Sequence, residues 1–288
     1  MLEDIVKEYI KQPYPLWECE VTEALILNKW EELRNEGMQS WSDYSTARCI
    51  TNHTVPLSTK FLLYKGAFPD ELVYLEAPSF NCLQTFYDEH GLVPLSVNEI
   101  ERTEALLKLG RAIAVIALVK PALLSIRKLV RAIQVLKQEN EEIDIGYSHP
   151  QIPFTIFVST CSDNSITSSL RVAESILHEA MHLKLTLLEK WITLVKPNSL
   201  SLTYSPWRDE ERPVKGVLHG LFVFRAVYEF YSEIINSSPK LKATTEFLSY
   251  RLEDIKFEIS SLKDLDTNQG LTKEGQRFVS KLIEFPFV

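Results

Sequence analysis

Cysteine is sparse. Cys19, Cys49, Cys82 and Cys161 are scattered over 288 residues with no C-x-x-C pair, so neither a disulfide framework nor a cysteine-rich zinc site is expected, and a reducing compartment is. There is no lysine or arginine run. The formal charge is −8, from 31 basic and 39 acidic residues, which disfavours a nucleic-acid or anionic-membrane surface. A secretory signal is not expected either, because "MLEDIVKEYIKQPYP" carries acids where a basic region would stand and no long apolar stretch follows. The most hydrophobic window, "ALLKLGRAIAVIALVKPALLSIRKLV", is broken by Lys108, Arg111, Lys120 and Pro121. It is too short between charges to span a bilayer and reads as a buried helix. No internal repeat or low-complexity tract is present. Together these absences predict an acidic, soluble, cytoplasmic protein.

With 45% hydrophobic and 24% charged residues, the chain can build a full core. Residues 20–36 show helix periodicity that stops near Gly37. "KFLLYKG" and "ELVYLEAP" read as strands bounded by Gly and Pro. From about 97 to 139 the pattern suits a helix pair, or one helix kinked near Pro121. One or two strands follow between 141 and 160, the last over 153–159. "CSDNSITSS" is a helix N-cap region, and the helix after it closes by Pro197. Residues 198–213 read as an excursion or lid-like loop, and further helices are predicted over 214–236, 240–262 and 272–284. The fold class is mainly α (α+β).

The chemistry concentrates in "SILHEAMHLKL", where His178, Glu179 and His182 form HExxH inside a helix with no Gly or Pro. Positions four apart differ by about 40° in azimuth, so both imidazoles reach one ion, while Glu179 is displaced by about 100° and sits beside them. In hydrolytic versions of the motif that carboxylate takes a proton from metal-bound water. A divalent site wants a third protein ligand. The metzincin continuation HxxGxxH is absent, since "LKLTLLEK" follows His182. His219, between Gly216 and Gly220, is the leading candidate, the glycines letting its helix pack closely against a neighbour. Glu229, on the same predicted helix, is the alternative. Arg208 and Arg212 precede His219 and can fork a carboxylate, or can pair locally with Asp209, Glu210 and Glu211. His53, His90 and His149 stand singly in predicted loops or boundaries, where surface histidines are the default.

The ordered set HExxH, "PWR", "RPxxGVLHG" closely resembles the HExxH-motif proteins found beside ribosomally made, post-translationally modified peptides. The resemblance spans about residues 150–235. It implies a zincin-like core and an iron(II) and 2-oxoglutarate-dependent hydroxylase acting on a β-carbon of a precursor peptide. It further implies His178, His182 and His219 as iron ligands, with Arg208 or Arg212 anchoring the distal carboxylate of 2-oxoglutarate. Glu179 would then orient an imidazole or replace one as ligand, because non-haem oxygenases usually use two histidines and a carboxylate. The residues alone equally describe a zinc peptidase with Glu179 as general base, and a third reading is a non-catalytic peptide-binding or maturation partner. In either enzyme reading the strand over 153–159 can pair with an extended peptide. Residues 1–288 are read as one catalytic unit, with an N-terminal helical part over about 1–140 and a metal-site part over 141–288.

Overall fold

The spacing of apolar residues in "EVTEALILNKWEELRNE" produces a helix that stops where Gly37 takes φ 99°, and the turn closes with hydrogen bonds from Gly37 N to Arg34 O and from Met38 N to Leu33 O. A computed structural model describes residues 2–14, 16–40, 44–51, 58–65, 72–78, 80–138, 140, 144–237, 242–262 and 264–284. The helices are α1 (Leu2–Lys11), α2 (Cys19–Asn35), α3 (Thr46–Thr51), α4 (Phe80–His90), α5 (Val97–Arg102), α6 (Ala105–Ile116), α7 (Lys120–Leu129), α8 (Ile166–Leu188), α9 (Val214–Ser237), α10 (Lys242–Ser260) and α11 (Lys273–Glu284). The strands are β1 (Ser58–Lys65), β2 (Leu72–Pro78), β3 (Ala132–Leu136), β4 (Gly146–Ser148), β5 (Thr155–Ser159), β6 (Leu202–Ser205) and β7 (Glu210–Pro213). The protein is mainly α with a smaller share of strand. No described helix is long and apolar enough to cross a membrane.

Contacts divide the chain into two compact units, residues 26–183, and residues 1–25 together with 184–288. Residue 140 lies inside the first of these, and the boundaries fall within α2 and α8.

The unit of residues 26–183 is built on a five-stranded sheet of order β1-β2-β3-β5-β4. β1–β2 and β5–β4 are antiparallel; β2–β3 and β3–β5 are parallel. β3 and β5 are buried at every position, as parallel strands covered on both faces must be. Here the structure departs from the expected helix pair. Residues 97–129 form α5, α6 and α7, and then "AIQVL" turns to strand, because a short continuous apolar run carries no periodicity to separate a buried strand from a buried helix. Pro121 opens α7, where its missing N–H costs nothing, and kinks no helix. The hydrophobic window is amphipathic as well: α6 buries Leu109, Ala112, Val115 and Ile116 but exposes Leu106 and Leu107. The strand over 155–159 is interior, paired on both sides, so the sheet edge lies at β4 and not at the strand assigned to peptide pairing.

In the second unit α9 is the central helix, with Leu218, Leu221, Phe222, Ala226, Phe230 and Tyr231 fully buried. The predicted loop over 198–213 is a hairpin, β6–β7, whose turn holds Asp209 at φ 50° and a Tyr204 Oη–Asp209 Oδ1 hydrogen bond of 2.7 Å. Helix α8 ends at Leu188, well before Pro197, and Val195 bridges to Leu271. Gly275 lies against the Leu194 carbonyl, an approach that any Cβ would obstruct. Tyr9, Ile10, Leu16 and Trp17 add a buried N-terminal segment to this unit.

Candidate metal centre

Ser165 starts the motif helix, its Oγ accepting from Ser168 N–H at 3.0 Å. From there α8 runs uninterrupted through the motif and places His178 and His182 on one face. Their rings lie 4.8 Å apart and their Nε2 atoms 3.2 Å apart. Two nitrogens bound at about 2.0–2.1 Å to a tetrahedral ion stand about 3.3 Å apart, so the imidazoles already hold the spacing of a shared ion. Both rings are half-buried.

Glu179 is 4% exposed, and strand β4 holds it. Ser148 Oγ donates to Glu179 Oε2 at 2.7 Å, and Gly146 lies so close that a Cβ there would stand 2.5 Å from Oε1. The alternation of the strand sends Gly146 and Ser148 toward α8, and Ile145 and Tyr147 to the opposite face, against Phe157 and Phe86. Nothing in "EEIDIGYSHP" announces these roles for Gly146 and Ser148; only the fold supplies them.

His219 belongs to the other unit. Its Nε2–H donates to Glu189 Oε2 at 3.2 Å, and Lys215 Nζ reaches the same oxygen at 3.0 Å. Burial opposes the Glu189 charge, but the His219 and Lys215 hydrogen bonds hold its carboxyl below the ordinary value. With Nε2–H given to Glu189, the neutral ring carries its lone pair on Nδ1, the carboxylate–imidazole arrangement that orients metal-binding histidines. The flanking glycines do not work as the sequence suggests. Gly216 faces open space, and Gly220 seats the indole of Trp207, which stacks on Phe224 at 4.9 Å and 15°. The glycine therefore accommodates a loop tryptophan, not a neighbouring helix.

Arg212 Nη1 pairs with Glu210 Oε1 at 2.8 Å on the exposed hairpin, which is the local pairing that competes with a cosubstrate role. Arg208 is exposed near the hairpin turn. Glu229 is engaged elsewhere than a metal set: its Oε2 accepts from Leu16 N at 3.2 Å, and burial lifts its carboxyl to about 7. Lys184, two residues after the motif, is fully buried, donates to Leu16 O at 2.6 Å and Glu18 O at 3.2 Å, and is lowered by burial to about 7. Arg225, also fully buried, packs on the rings of Tyr14 and Tyr228. Lys184 and Arg225 were legible only as lone charges in leucine- and phenylalanine-rich runs.

His90 and His149 are not isolated. Tyr147 Oη bonds His90 Nδ1 at 2.9 Å, and the two imidazole rings lie 4.8 Å apart. His53 lies outside the described residues. Among the described residues no set of three or more His, Cys, Asp and Glu side chains converges as a metal-holding group; the donors that converge are the imidazoles of His178 and His182. The residues thus fit two positions of an ion, with Glu179 buried beside them. The chain matches no protein-family model and no curated protein.

Proposed function

We propose that the protein is a peptide-modifying metalloenzyme: an iron(II) and 2-oxoglutarate-dependent hydroxylase acting on a β-carbon of a ribosomally made precursor peptide, on a zincin-like core. The observation that carries the reading is the 3.2 Å approach of two Nε2 atoms beside a carboxylate held by an edge strand. His178 and His182 would hold the metal. The bound metal and keto acid would supply oxygen activation and hydrogen abstraction. The chain's own residues do the rest. Ser148 and Gly146 fix the Glu179 carboxylate, which orients the neighbouring imidazole.

A peptide fits the β4 edge. Ser159 N donates to Ile145 O, and the register pairs Tyr147 with Phe157, so alternate residues face β5. Gly146 and Ser148 turn their backbone N–H and C=O outward, and these find no partner among the described residues. An extended peptide completes that edge alongside Glu179. Arg212 would have to exchange Glu210 for the 2-oxoglutarate carboxylate; Arg208 is the other anchor.

The zinc-peptidase reading draws on the same buried Glu179, placed as a general base beside the edge strand. Anaerobic purification with metal analysis, followed by incubation with iron(II), oxygen, 2-oxoglutarate and a precursor peptide, separates the two. Succinate and a peptide heavier by one oxygen support the hydroxylase. Stoichiometric zinc, no succinate and a cleaved peptide overturn it. Glu179→Gln abolishes a peptidase but leaves a hydroxylase part of its turnover, and Arg208→Ala or Arg212→Ala raises the 2-oxoglutarate requirement if either is the anchor.

A further inference from the structure

Tyr147 and His149 project from the β4 segment to the face opposite Glu179, where the end of α4 brings His90 against them. Phe86 backs the group at 4.5 Å from His90 and 5.6 Å from His149. One hydrogen bond fixes the polarity of the His149 ring: Gln151 N–H gives its proton to His149 Nδ1 at 3.3 Å, so in the neutral ring the proton sits on Nε2. Tyr147 Oη and His90 Nδ1 share a hydrogen bond of 2.9 Å beside it. No described residue accepts from either Nε2, and both rings are partly exposed. His149 therefore offers an N–H donor toward the open side of the cluster. Burial, then the neighbouring His90, lowers the His149 pKa, which favours its neutral ring.

This polarity names a ligand chemistry. A carboxylate accepts only, satisfies the His149 Nε2–H, and is further favoured when an imidazole of the cluster becomes protonated. A strand added to β4 alternates its side chains: one residue faces Glu179, and its neighbour faces His90, Tyr147 and His149. Resting on the peptide-substrate reading above, we infer that this cluster is a specificity subsite that receives an aspartate or glutamate side chain adjacent to the residue presented to Glu179.

The test is binding, without turnover. Fluorescein-labelled hexapeptide pools, each with one position fixed as Asp, Asn, Glu, Gln or Phe, are titrated against the full, metal-free chain by fluorescence anisotropy. The expected result is roughly tenfold tighter binding of Asp or Glu pools over their amide isosteres at one position, the scale of a hydrogen bond to a charged group. His90→Gln and His149→Asn, each made singly, should remove that preference while Phe-fixed and Asn-fixed pools bind as before. Peptide binding with no acidic preference in the unmodified chain overturns the subsite and leaves the peptide reading standing. A preference for Phe pools, or an acidic preference that survives both variants, overturns it too. Failure of every pool to bind overturns the peptide reading and the subsite with it.

Discussion

Replacing Gly146 with alanine tests how Glu179 is held, because two effects of opposite sign meet at one position. Gly146 carries no positive φ, so backbone freedom alone favours alanine in this strand by about 0.5–1 kcal/mol. Against that, the new Cβ would stand 2.5 Å from Glu179 Oε1 and 3.2 Å from Cδ. The carboxylate must swing away and give up the Ser148 Oγ bond, buried and to a charged group, at a cost of about 1.5–3 kcal/mol. The net expectation is a loss of about 1–2 kcal/mol, a fall in Tm of roughly 2–6 °C for a chain of this size. Turnover should fall about 10–100-fold, the usual consequence of misplacing a group that orients a metal ligand. Ser148→Ala removes the same bond without the backbone gain and should lose about 1.5–3 kcal/mol. Calorimetry of the metal-free variants beside wild type gives the answer; a Gly146→Ala melt equal to or above wild type would refute the packing argument.

Other outcomes follow from the same structure. His178→Ala should abolish metal binding at the pair while leaving circular dichroism unchanged, checked by metal analysis after dialysis. Glu229 has a folded pKa of about 7, above its unfolded value, so the folded state binds the extra proton and stability falls as pH rises from about 4.5 to 7. The contribution is on the order of 3 kcal/mol. Glu229→Gln should remove most of that slope between pH 5 and 8 in urea titrations. Gly220→Ala would place a Cβ 2.6 Å from the Trp207 ring, costing about 1–3 kcal/mol and altering the near-ultraviolet dichroism of the indole. Arg212→Ala breaks only an exposed ion pair, so its Tm should change by less than about 2 °C.

Much of the local structure could be read from the sequence. The helices over 214–237 and 273–284 follow from strong periodicity, and so does α8 with its motif, although its end at Leu188 falls well before the expected stop at Pro197. Strand β3 could not be read, because "AIQVL" is apolar on both faces and its identity depends on parallel partners far away in sequence. The hairpin of 202–213 was hidden by its charged and proline-containing strand. At the site, the shared face of His178 and His182 is a property of one helix and was legible. Gly146, Ser148 and the His90–His149 approach depend on strand pairing and could not be. The arginine reading shows a different limit: a guanidinium beside three acids pairs with whichever the backbone brings nearest, here Glu210.

One of the two units is discontinuous: residues 1–25 share it with residues 184–288. During synthesis the first segment leaves the ribosome while its partners are still untranslated. Val6, Ile10, Leu16 and Trp17, all buried at the end, must wait as exposed apolar surface for α9 and α11. Residues 26–183 contain their whole sheet and can fold meanwhile. Strand β2 must still close a long loop to meet β3, a slow step for a non-local parallel pair. Residues 1–25 are thus made well before the partners that bury them, which marks them as a place where nascent chains are open to chaperones and to aggregation.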